Sequence, residues 1–147
     1  MLFRSEEILQ TEGDNELENA FALMGLADVE LLVDDPEAAG ECLRMAVETV
    51  LGKDYQDYRL MECLETFAAL AVVRERADLA ATLIAAVDQA YADEGSVMVP
   101  ADIEFRERRT GAAVAAVSPE TRREAEDRGS ALDLPAAVRL ATAELLG

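Results

Sequence analysis

At 147 residues and a formal net charge of −18, without a single histidine, the chain excludes several functions before any motif is sought. A domain of this length buries about 70% of the surface its unfolded form exposes. Nucleic acids and anionic membranes demand a basic face that displaces counterions, whereas residues 1–57 carry fifteen acids against Arg4, Arg44 and Lys53.

Alanine dominates an apolar share of 51%, aromatics supply only 5%, and β-branched runs are nearly absent, so the composition favours an all-α fold. The longest apolar runs, such as 67–73, fall far short of the roughly 18 residues that span a bilayer. The opening MLFRSEEILQ lacks the apolar stretch of a secretory leader, which makes the cytoplasm the expected compartment. Cys42 and Cys63 lie inside apolar helical patterns and read as small buried hydrophobes rather than as a disulfide or a metal site.

In chain order, residues 1–10 can form a short helix. The turn signal TEGDN (11–15) separates it from a helix over 16–33, with Asp14 or Asn15 as the expected N-cap. Leu17, Ala20, Phe21, Met24, Ala27, Leu31 and Leu32 keep helical spacing along that segment. DDP then breaks the pattern, with Asp35 as cap and Pro36 at the first helical position, and a second helix runs to Leu51 before Gly52 stops it. KDYQDY (53–58) leads into two helices back to back over 61–91, split by RERAD, with its tyrosines expected to pack at the junction. Gly95 ends that hairpin, and Pro100 opens a helix reaching Val117. Ser118 and Pro119 start a charged helix that Gly129 stops, and Asp133 caps a last helix carrying Leu134, Val138, Leu140, Ala141 and Leu145. The pattern predicts about seven or eight helices and no sheet.

The 61–91 hairpin is the centre of the expected packing. Ala68, Ala71, Ala80, Ala81 and Ala86 are small enough for two helix axes to approach, and Leu64, Phe67, Leu70, Leu83, Ile84 and Val87 fill the rows between them. Laid over itself at an offset of about 41 residues, the chain pairs Leu23 with Leu64, Leu26 with Phe67, Ala27 with Ala68, Ala39 with Ala80 and Leu43 with Ile84. This resembles a degenerate tetratricopeptide repeat, departing from the motif at Glu30, Ala71 and Val87. The order DDPEAAGECLRMAVE, ECLETFAALAVVRERADLAATLIAAVDQ, RERRTGAAVAAVSPE and EDRGSALDLPAAVRLA, spanning about 19–145, is similar to a narrower group. It resembles the C-terminal repeat region of bacterial, chiefly actinobacterial, LuxR-type and signal-transduction ATPase transcriptional regulators. The ATP loop G-x-x-x-x-G-K-[ST] and the basic helix-turn-helix of the whole regulators are not in this sequence. The resemblance therefore implies their superhelical sensor or docking arm alone, without a cofactor. It implies one all-α domain over 1–147, built as a short right-handed tetratricopeptide-like solenoid. Antiparallel hairpins would lie at about 16–51 and 55–93, under C-terminal capping helices at about 100–146.

The residues themselves offer no catalytic constellation. The carboxylate pairs Asp34–Asp35, Glu62–Glu65 and Asp93–Glu94 sit at helix ends or in solvated patterns, the serines have no histidine to activate them, and Lys53 is the sole lysine. What remains is a surface. In stacked hairpins the first helix of each pair lines the concave face. By resemblance this assigns Phe21, Met24, Asp28 and Leu31, then Glu62, Glu65, Ala69 and Val72, to a partly apolar groove with an acidic edge. Such a groove suits a basic or amphipathic peptide or a neighbouring helix, unless the N-terminal or C-terminal helices cover it as core. The sequence thus points to a non-catalytic interaction module that takes a protein partner or pairs with its own copy. A second reading is a small-molecule sensor holding a ligand inside the helical curl, with Arg106, Arg108 and Arg109 available to an anion or a partner.

Overall fold

The computed structural model describes the backbone of residues 5–52 and 57–147 and the side chains of residues 19–51 and 59–147. Every regular element among the described residues is helical, as the alanine-rich composition predicts. The order is α1 (Ser5–Leu32), α2 (Pro36–Gly52), α3 (Asp57–Val73), α4 (Ala77–Glu94), α5 (Pro100–Arg106), α6 (Ala112–Ala115), α7 (Pro119–Ser130) and α8 (Leu134–Leu145). A π-helical turn, Glu107–Gly111, joins α5 to α6 without leaving helical backbone angles, so the three pieces form one rod. No helix among the described residues is long and apolar enough to cross a membrane. The expected tyrosine packing in KDYQDY lies outside the described side chains, as does Leu17.

Local chemistry sets most of the boundaries. The Asp35 carboxylate accepts from the Ala38 amide (3.1 Å) at the start of α2, Ser118 Oγ accepts from the Thr121 amide (3.2 Å) at α7, and Asp133 accepts from the Ala136 amide (2.7 Å) at α8. Proline occupies the first turn of α5, α7 and α8, where its missing N–H leaves no bond unmade. The turn expected at TEGDN does not occur, and α1 runs straight through it. A lone glycine costs about 1 kcal/mol inside a helix, and no proline in that stretch blocks a backbone bond.

The internal repeat has a geometric counterpart. The turns after α1 and α3 each hold a residue with positive φ, Asp34 (61°) and Glu75 (60°), and these two positions are 41 apart. Each turn carries the same pair of reversed bonds. Asp34 N–H reaches the Leu31 carbonyl and Asp35 N–H the Glu30 carbonyl; Glu75 and Arg76 do the same to Val72 and Ala71. Identical turns make two similar antiparallel hairpins, α1–α2 and α3–α4, which meet through α3.

Around α3 lies the core. Leu64, Phe67, Ala68, Leu70 and Ala71 are fully excluded from solvent, and Leu43 of α2, Leu79, Ala80 and Leu83 of α4 and Val138 of α8 join them in one cluster. Cys63 is part of it, and Cys42 packs at its margin; both thiols are free. Burial pushes the Cys63 thiol up to about 12, so it is a neutral packing group.

The C-terminal helices pack back on the two hairpins. α7 packs along α4, while α8 folds back across α2, α3 and α4. Arg44 clasps its end by donating to the Leu146 carbonyl (2.6 Å), and Arg76 pairs with Glu144 (3.3 Å). Gly129, expected to stop a helix, is the buried residue just before α7 ends at Ser130. A Cβ there would sit closer than 3.0 Å to the Thr82 carbonyl oxygen and 2.8 Å from the Ala85 methyl, so it is the point where α7 and α4 touch backbone to backbone.

Candidate functional site

Between α1 and the α5–π segment the molecule is concave, with α3 and α4 as the floor. The cavity measures about 460 Å³. α1 contributes Phe21, Met24, Gly25 and Asp28; α3 contributes Met61, Glu62, Glu65 and Thr66; α4 contributes Val87 and Tyr91. Met98, Asp102, Phe105, Arg106, Arg109 and Thr110 close the remaining side.

Five of the eight groove residues read from the sequence therefore share this cavity: Phe21, Met24, Asp28, Glu62 and Glu65. Phe21 and Glu62, like Met24 and Glu65, are 41 positions apart, so the repeat brings equivalent helical positions to one concavity. Leu31, Ala69 and Val72 do not line it. Ala69 is buried, and Leu31 and Val72 pack half-buried against the core, one or more turns nearer the hairpin bend. The side chains of the N-terminal segment 1–10, one of the covers considered for this surface, lie outside the described residues.

Two of the three arginines turn inward and occupy the same site. Arg106 pairs with Glu65 through Nε (2.9 Å) and Nη2, and with Asp88 through Nη1 (2.7 Å). Burial would lower its pKa, but the hydrogen bonds and charges of Glu65 and Asp88 hold it above its ordinary value. Arg109 Nη2 lies 2.7 Å from Asp28 Oδ1, buried and out of hydrogen-bonding alignment, and its guanidinium carbon sits 4.7 Å from the Phe105 ring centroid. Asp28 also accepts from the buried Thr66 hydroxyl (3.1 Å). Arg108 points away, exposed, and pairs with Glu104 (2.5 Å). The arginines thus do not form one patch. Helical spacing separates 108 from its neighbours, and carboxylates already hold the two that face inward.

The π turn is what aims them. Its extra residue widens the helix where Arg106, Arg109 and Thr110 face α3 and α4, and the Thr110 hydroxyl satisfies the Arg106 carbonyl (3.0 Å). Composition gave no signal for this turn, and Thr110 and Tyr91 went unnoticed as lining residues. The sequence-visible cue was the small residue Gly111 behind a charged run.

With Glu65 and Asp28 engaged, Glu62 and Asp102 make up the rest of the acidic edge, with Arg59 near enough to Glu62 to act on it. Burial raises the Glu62 pKa, Arg59 lowers it, and Asp102 and Asp28 raise it further. Tyr91 is raised by burial and by the charges of Asp102, Glu65 and Glu62, which keeps its phenol neutral. Arg59 stacks on Phe21, 3.4 Å from the ring centroid. Taken together, the lining holds four carboxylates against two guanidiniums, over a floor of methionine, valine and aromatic carbon. Chemically this surface attracts cations and apolar groups. Among the described residues no group of three or more cysteine or carboxylate side chains is placed to hold a metal ion. In comparisons with protein-family models, with curated proteins and with solved structures, the chain matches none of them.

Proposed function

We propose that this chain is a non-catalytic docking module of the cytoplasm, whose groove between α1 and the α5–π segment receives a basic or amphipathic segment of another protein. One observation carries this reading: the inward arginines are neutralised by Glu65, Asp88 and Asp28, which leaves an apolar floor under an acidic rim of Glu62 and Asp102. A lysine or arginine entering beside that rim would meet two carboxylates, with Tyr91 and Phe105 flanking its aliphatic stem. A regulatory arm of the kind the sequence resembles would work in this way, by shape and charge.

The cavity volume supports a second occupant class. About 460 Å³ falls within the range that accommodates small organic ligands. The same charge balance makes such a ligand cationic rather than anionic, since neither Arg106 nor Arg109 is free to receive an anion.

The test uses Glu62→Lys with Asp102→Lys, because Glu65 is tied into the Arg106 ion pair and its replacement would disturb the wall itself. Tagged wild-type chain and the double variant are captured side by side from host lysate, and bound proteins and metabolites are quantified by mass spectrometry. A stoichiometric protein present on the wild type and lost from the variant is the expected result. A protein retained equally by both, or a retained amine with no protein, overturns the docking reading, and the amine would install the second class.

A further inference from the structure

We infer that the docking surface continues out of the groove over α1, and that its occupant there is an α-helix of a partner protein whose apolar stripe is flanked on both sides by lysine or arginine. Resting on the docking reading above, this names the form and chemistry of the partner.

The outward side of α1 is apolar where a surface helix should be polar. Ala22, Leu26, Val29 and Val33 recur at helical spacing on the side away from the core residues Ala20, Met24 and Ala27, and Leu26, Val29 and Val33 expose 46%, 51% and 66% of their surface. The spacing is that of one seam of a helix pair and spans about 16 Å at 1.5 Å per residue. Gly25 joins seam to groove. It lines the cavity, has open space around it, and leaves no side chain on the ridge between them. α7, at the other end of the molecule, presents a charged outer face and buries only Ala125 and Gly129. Among the described residues, Val97, Val99, Ile103 and Phe105 at the start of α5 are also exposed, and the α1 residues are the ones that recur as a seam along one long helix.

Charge selects the occupant. On the α2 side the seam is bordered by Glu30 and Glu41, close enough together that both raise the pKa of Cys42, whose chief perturbation is burial. Glu62 and Asp102 border the groove side. Within described α1 there is no basic residue, Arg44 of α2 is held by Leu146 and Glu41, and Arg59 of α3 lies over the Phe21 ring on the groove side. A second copy would bring these acids against themselves, whereas a helix with basic flanks meets a carboxylate bank on either side.

The probe is a fluorescent synthetic helix of about 18 leucines and lysines in helical period, long enough to overlie the seam. A scrambled peptide of equal composition is the control. Affinity is read by anisotropy at physiological salt for the wild type, for Leu26→Gln with Val29→Gln, and for Glu62→Lys with Asp102→Lys. The replaced apolar side chains are exposed, so the outer-face variant keeps its fold, checked by circular dichroism. The expected result is tight wild-type binding, little for the scrambled peptide, and a loss of about ten-fold or more in the outer-face variant, the scale set by two buried aliphatic side chains. If the outer-face variant binds as wild type while the rim variant does not, the helix-over-α1 inference falls and the groove reading stands. If neither variant differs from wild type, both fall. Equal binding of the scrambled peptide, or no wild-type binding, overturns the inference. So does a wild-type dimer in sedimentation that Leu26→Gln with Val29→Gln dissolves, because the occupant would then be a second copy.

Discussion

At the residue scale the wall of the groove depends on Arg106. Its side chain is only 14% exposed and Glu65 19%, so each charge relies on the other. Replacing Arg106 by Met strands Glu65 in a partly buried site and should cost about 2–3 kcal/mol in urea unfolding. Adding Glu65→Met should recover most of that loss, because removing both partners of a buried pair leaves no unmet charge. Glu62 gives a pH signature. Its folded pKa is raised above 4.5, chiefly by burial, so its contribution to stability is full below that value and lost as pH rises through the folded pKa. Glu62→Gln should therefore raise the melting temperature at neutral pH, and the gain should vanish on acidification through the carboxylate range. A gain that persisted in acid would mean the side chain acts through packing instead.

At the element scale, most helix starts were legible because they are local. Asp35, Ser118 and Asp133 cap through their own side chains, and prolines mark four starts. The misreadings are tertiary. TEGDN carries turn residues but no steric block, and Gly129, which does stand at the end of α7, also makes a contact with α4 that no local pattern encodes. Gly129→Ala should separate α7 from α4 and cost about 1–3 kcal/mol, read from the urea midpoint at constant slope. Leu32, which keeps the helical spacing of the apolar positions, is 81% exposed as the last residue of α1. Half of the groove was visible because repeat-equivalent positions of α1 and α3 face one side. The other half, the α5–π wall, was hidden because side-chain pairing across 41 residues, as between Arg106 and Glu65, leaves no trace in spacing.

At the scale of the whole molecule, charge opposes the fold that packing supports. Thirty-one acids against thirteen bases repel one another across a body only one domain wide. Raising ionic strength from about 0.01 to 0.15 M shortens the screening length from about 30 to 8 Å, so the melting temperature should rise over that range. A fall would show that ion pairs such as Arg76–Glu144 outweigh the net repulsion. A basic helix seated along α1 would relieve the same repulsion, which ties partner binding to stability and predicts a binding-linked rise in melting temperature that weakens with added salt.

The π turn has a mechanical consequence. A helix advances about 100° per residue, so the one surplus residue between Glu107 and Gly111 acts as a phase shifter between α5 and everything after it. α6 and α7 pack on α4, while α5 is held to the body through the Arg106 pairs with Glu65 and Asp88 at its last residue. Deleting Arg108, whose exposed side chain pairs only with Glu104, should return the rod to ordinary pitch and swing Phe105 and Asp102 away from Glu62. Such a chain would keep its helix content in circular dichroism while losing the concavity, its two halves each intact but out of step by roughly a quarter turn.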